Sequence, residues 1–168
     1  DDSWIEEAEK RGLLNLKTTP DCLPYFIKEK NIKLFTEAHV LTETEIFSRY
    51  EIILESYCKV IGIEANTMLD MAKKDILPAV SAYSKELADT AIAKHSLIKD
   101  CACSYEEEIV KEISELTSEL YKAVKALEDA VEKATESDVL KLALYYKDVI
   151  IPAMDAVRTP ADKLELIT

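Results

Sequence analysis

Glycine is nearly missing from this chain: of 168 residues only Gly12 and Gly62 are glycine, with five prolines beside them. An all-β sandwich or barrel needs a turn signal roughly every 8–12 residues, so this scarcity argues against both. Two glycines also cannot write a Gly-rich phosphate loop, neither GxGxxG nor GxxxxGK[ST]. No apolar run reaches the ~18 residues of a membrane-spanning helix, and no signal-peptide pattern is present. Positive charge is in deficit. Lys and Arg total 21 against 33 Asp and Glu, for a formal charge of −12, which argues against nucleic acid and anionic membrane surfaces as partners.

Cysteine and histidine are sparse as well: Cys22, Cys58, Cys101, Cys103, His39 and His95. Four cysteines are too few for a disulfide scaffold of this length, so free thiols and a cytoplasmic location are expected. The chain starts at Asp1 and stops just after Leu164, Leu166 and Ile167, which suggests a fragment excised from a longer protein. The apolar share, 48%, is ordinary for one globular domain.

What is present is helical periodicity. Ser3 with Glu6 has capping-box spacing and predicts a short helix from about Trp4 to Arg11, ended by Gly12. Thr19-Pro20 reads as a cap and first-turn proline for a second short helix carrying Tyr25, Phe26 and Ile27. Asn31 to His39 could add a turn or two. Thr42 with Glu45 opens the longest stripe: Ile46, Tyr50, Ile53, Leu54, Tyr57, Ile61, Ala65, Met68, Met71, Ala72, Ile76, Val80, Tyr83 and Leu87. A helix from Thr42 to about His95 would run about 80 Å at ~1.5 Å per residue. One long helix bent at Pro78 is the favoured reading, with a break near Gly62 as the fallback.

His95 to Ser104 reads as a hairpin connection. Ser104 and Glu107 then cap a helix whose stripe is Ile109, Ile113, Leu116, Leu120, Val124, Leu127 and Val131. After a turn near Thr135 to Ser137, a third long helix carries Val139, Leu142, Tyr146, Val149, Ala153 and Val157, bent at Pro152. Thr159, Pro160 and Asp162 predict the start of a fresh helix. The expected fold is all-α: an antiparallel bundle of long, kinked helices over residues 42–168, with short N-terminal helices and a connector over residues 1–41 packed on it.

Candidate chemistry is thin. A di-iron bundle needs two Glu-x-x-His pairs, but Thr36 and Ile92 precede the two histidines by three. His95, Cys101 and Cys103 share a loop, yet Cys-x-Cys is not zinc-knuckle spacing, so two thiols packing a turn is the preferred reading. Cys58, beside Tyr57 and Ile61, reads as a small buried hydrophobe. Cys22 lies in a first helical turn with no histidine near in sequence. Glu106, Glu107 and Glu108 open a helix at its positive end. Asp70 and Asp75 lie among apolar neighbours, but Lys73 and Lys74 point to solvated ion pairs. Eight tyrosines, with Tyr145 and Tyr146 adjacent, leave two readings at even weight: core-boundary packing, or one ring turned to a partner. No catalytic, cofactor-binding or metal-binding residue is assigned.

Particular strings say more than the pattern. Trp4 to Pro20 reads WIEEAEKRGLLNLKTTP, followed by Asp21-Cys22-Leu23-Pro24. Arg49 to Glu55 reads RYEIILE, then Ser56-Tyr57-Cys58-Lys59, and Ile63 to Pro78 reads IEANTMLDMAKKDILP. Tyr145-Tyr146-Lys147-Asp148 and Pro160-Ala161-Asp162-Lys163-Leu164-Glu165 follow. In this order they resemble the C-terminal helical region of type III glutamine synthetase, the long-chain bacterial form of glutamate–ammonia ligase and an enzyme of nitrogen metabolism. The resemblance covers essentially the whole chain.

It implies a parent enzyme that joins glutamate and ammonia with ATP and Mg (or Mn), through a γ-glutamyl phosphate, in a dodecamer of two stacked hexameric rings. It also implies that the catalytic and metal-binding residues lie upstream of Asp1, so that no cofactor belongs to this fragment. The implied partners are the upstream catalytic domain and neighbouring subunits. Family members continue past the position of Leu166 with an aromatic-rich tail, which this chain lacks. Two functional readings follow: a structural and assembly domain without catalysis of its own, favoured by RGLLNLKTTPD, or a stand-alone helical bundle binding a protein or small ligand as a sensor or adaptor.

Overall fold

Thr42 and Glu45 cap each other as their spacing predicts. Glu45 N–H donates to Thr42 Oγ1 at 3.3 Å, and Thr42 N–H donates to Glu45 Oε2 at 2.8 Å. From this cap, in a computed structural model that describes residues 2–98 and 100–168, the chain stays helical to Leu97. Helix α4 spans Glu43–Met71, a π turn takes Ala72–Ile76, and α5 spans Leu77–Leu97. Before it come three short helices, α1 (Asp2–Lys10), α2 (Thr19–Phe26) and α3 (Glu29–Glu37). After it come α6 (Ser104–Glu132), α7 (Val139–Tyr145), a second π turn (Tyr146–Ile150) and α8 (Ile151–Glu165). The fold class is all-α, with no strand among the described residues.

Gly62 does not interrupt α4, so the unbroken reading holds and the fallback break does not. Pro78 is absorbed by the π turn ahead of it. Proline lacks the N–H that would reach the carbonyl four residues back, and its ring crowds that carbonyl; a widened i→i+5 turn accommodates both. Pro152 repeats the solution, standing two residues after the second π turn as Pro78 stands two after the first.

Other boundaries differ from expectation. Ser3 lies within α1 and is not its cap. Gly12 does take the left-handed conformation, φ 78°, that lets the chain leave that helix. Helix α2 is preceded by Thr18, one residue earlier than the predicted cap. The Ser104–Glu107 box does not form: Cys103 is the residue before α6, with no side-chain cap. Thr159 and Pro160 begin no new helix. Both lie within α8, and Thr159 Oγ1 donates to the Asp155 carbonyl of its own helix at 2.9 Å.

By its contacts the chain divides into two compact units, Asp1–Val60 with Glu136–Lys147 and Ile61–Thr135 with Asp148–Thr168. In the first, Leu23, Tyr50, Leu54, Cys58 and Ala143 form a core flanked by Phe26, Ile27, Tyr57, Val139, Leu140, Leu142 and Tyr146. Helix α2 rests on both α3 and α7, and the Phe26 and Phe35 rings meet at 5.9 Å.

In the second unit α6 packs against both α5 and α8. Its buried stripe is Ile113, Leu116, Leu120, Val124, Leu127 and Ala130, so the predicted face is right except at its ends, where Ile109 and Val131 are only half-buried. Along α4 the predicted stripe is buried at Ile46, Tyr50, Leu54, Ile61 and Ala65, with Cys58 and Leu69 joining it, whereas Ile53 and Met71 are 43% and 53% exposed. From the end of the second π turn the seam passes through Ile150, Val157 and Leu164, each within 1% of complete burial, and Val149 is exposed.

Candidate functional site

The residues nominated by the sequence do not converge. Cys58 is buried in the first core, where loss of solvent pushes its thiol pKa up. Burial raises Tyr146 too, with Cys58 next in effect. Tyr145 and Tyr146 are both half-buried, so the core-boundary reading fits better than a ring turned outward. Cys22 is exposed, and its thiol donates to the Leu16 carbonyl at 3.4 Å. His39 ends α3 with φ 55° and is exposed. Asp70 is an exposed ion-pair partner of Lys74 at 2.7 Å, and Asp75 is also exposed, as solvated ion pairing predicts. Lys73 instead reaches Glu128 on α6, which also accepts from Lys125 at 2.9 Å.

A group of ionisable side chains lies where α5 passes into α6. Glu106, in the first turn of α6, is only 5% exposed and pairs with Lys94 from the last turn of α5. The ammonium beside Glu106 holds its carboxyl below the usual carboxylate range, and the carboxylate holds Lys94 above its ordinary value. Cys101 and Cys103 share this neighbourhood. Burial pushes the Cys103 thiol up, with Cys101 adding to it. His95, its third suggested companion, is exposed on α5. Among the described residues no three His, Cys, Asp or Glu side chains stand close enough to hold a metal ion.

The same unit carries an apolar groove of about 480 Å³, lined by Met68, Met71, Ile76, Met154 and Val157. The Arg158–Asp162 ion pair, 3.2 Å, borders it. Sequence reading missed this groove because its walls come from segments some eighty residues apart in the chain, which no local periodicity connects. It missed the Lys94–Glu106 pair because the two stand 12 positions apart across a helix connection, although helix-end charge preference was a usable signal at both residues. Among the described residues no helix is long and apolar enough to cross a membrane.

Comparison with known proteins supplies what these geometries do not. The family model for the glutamine synthetase C-terminal domain matches residues 1–95. A glutamine synthetase from Butyrivibrio fibrisolvens is 41% identical over 167 residues, which is 99% of this chain and 24% of the relative. A type-3 glutamine synthetase from Dictyostelium discoideum is 34% identical, over 96% of this chain and 23% of its own length. A glutamine synthetase from Bacteroides fragilis is 25% identical, over 98% and 23%. The chain thus spans about a quarter of the length of these curated relatives. Together with its all-α fold, these matches show that the chain belongs to the glutamine synthetase C-terminal domain family.

Proposed function

We propose that this chain is the C-terminal structural and assembly domain of a cytoplasmic, bacterial type III glutamine synthetase. The complete protein would join glutamate and ammonia at the expense of ATP. The observation that carries the reading is the coverage: nearly the whole chain aligns with about a quarter of each relative, one of them named as type-3. ATP and Mg (or Mn) belong to that complete enzyme. Among the described residues no three metal-ligating side chains stand together, and the sequence has no Gly-rich phosphate loop.

An assembly role also accounts for the apolar side chains left in water. Trp4, Ile5, Leu13 and Leu14 are exposed, as are Ile52 and Ile53 on α4. Exposed apolar residues of this size suit burial against the upstream catalytic domain or a neighbouring subunit of a homo-oligomer. The test compares the complete parent chain with a version lacking residues 42–168, by sedimentation velocity and γ-glutamyl transfer. Loss or change of the oligomer is expected. Unchanged oligomers with full activity would overturn the assembly role.

A further inference from the structure

Two thiols stand one residue apart in the connection between α5 and α6. Cys103 is 4% exposed, with its Sγ 3.8 Å from the Ala91 carbonyl it donates to. Cys101 is half-buried, and its Sγ lies 3.8 Å from the Ala102 carbonyl. Only Ala102 separates the two cysteines along the chain, and the contact with the Ala91 carbonyl seats Cys103 against α5. Alpha-carbons two residues apart are separated by at most about 7 Å. A disulfide spans about 4.4–6.8 Å between them, so any departure from full extension brings the pair within range.

We propose that Cys101 and Cys103 form a reversible dithiol–disulfide pair that responds to hydrogen peroxide, with Cys101 as the attacking sulfur and Cys103 as the resolving one. The roles follow from position. A reactive thiol must be open to the oxidant, and Cys101 is the less buried of the two. A resolving thiol needs only to lie beside the first and be shielded from oxidant, which describes Cys103. Cys101 sulfur attacks one peroxide oxygen and the O–O bond breaks; the departing hydroxide takes the thiol proton as water, leaving a sulfenic acid. Cys103 sulfur then attacks Cys101 sulfur, forming the S–S bond and breaking S–O. The released hydroxide takes the Cys103 proton as a second water. Two electrons leave the thiols and reduce one peroxide to two waters. The Cys103 S–H···O=C Ala91 contact is consumed, so oxidation loosens the seat of Cys103 at the start of α6.

The test treats the protein carrying Cys22→Ser, which removes the exposed competing thiol, with hydrogen peroxide, followed by alkylation, digestion and mass spectrometry. The peptide holding both cysteines should be lighter by two hydrogens and resist alkylation until dithiothreitol is added. In a Cys103→Ser variant, Cys101 should accumulate as a sulfenic acid trapped by dimedone. If that variant fails to fold, the peptide result decides alone. Both thiols remaining alkylatable after peroxide, or Cys101 passing to sulfinic acid while Cys103 stays reduced, would overturn the proposal.

Discussion

Lys147 Nζ donates to Asp21 Oδ1 at 2.8 Å, joining residues 126 positions apart in the first unit. Thr18 Oγ1 donates to the other carboxylate oxygen at 2.5 Å. Asp21 thus fastens the start of α2 to the second π turn while keeping α2's first turn in place.

Lys147, and then Thr18, hold the Asp21 carboxyl below its ordinary value of 3.8. Its pKa is therefore lower in the folded chain than in the unfolded one, and unfolding takes up a proton between the two values. The stabilisation is fully present above about pH 4 and is lost as pH falls through the folded value. Asp21→Asn should lower the urea midpoint more at pH 7 than at pH 3, because the stabilisation fades as the pH falls below 3.8. An equal deficit at both pH values would show that the charge contributes nothing.

Helix α6 rests on its buried stripe, so truncation there should be costly. Leu120 is completely buried, and Leu120→Ala should destabilise by about 2–5 kcal/mol through lost burial and a residual cavity. Ile63→Ala, at a side chain 67% exposed, should change stability by no more than about 0.5 kcal/mol. Chemical denaturation of the two variants beside the parent chain measures both.

The cap at the start of α4 is a separate lever. Thr42→Ala removes the hydroxyl that receives the Glu45 N–H and should cost about 1 kcal/mol. Thr42→Ser should restore most of it, because only the hydroxyl oxygen is needed. Thermal melts that fail to separate Ala from Ser would remove the cap from this account.

The π turns owe their width to the prolines that follow them. Pro78→Ala and Pro152→Ala each return a backbone N–H and remove the ring from the preceding turn. Each should raise stability by on the order of 1 kcal/mol, below the ~3 kcal/mol that separates proline from alanine in a regular helix, because the wide turn already relieves much of the clash. Amide exchange over 72–78 and 146–152 should slow in the corresponding variant. Unchanged exchange would assign the π turns to another cause.

Much of this fold was readable in the amino-acid order. The Thr42–Glu45 cap, the stop at Gly12 and the stripe from Ile113 to Leu127 all follow local rules of spacing and capping, and local rules need no knowledge of neighbours. The errors share a cause. Ile53 and Met71 matched the spacing as well as Cys58 and Leu69 did, and only the packing partners decided which set was buried. Thr159-Pro160 has the composition of a helix start, but Pro160 is buried within a continuous α8. The candidate site was less legible, because Lys94, Glu106 and the two thiols meet only once α5 and α6 turn back on each other.

The twin wide turns also bear on how such a chain tolerates changes in length. A π turn is an α turn carrying one surplus residue, so the segments before and after it are phased independently of that spare link. Excising a single amino acid from 72–76 together with Pro78→Ala should let this helix close to regular α geometry with the residues on either side keeping their buried faces. The same excision in the middle of α6 would swing every later side chain by about 100°.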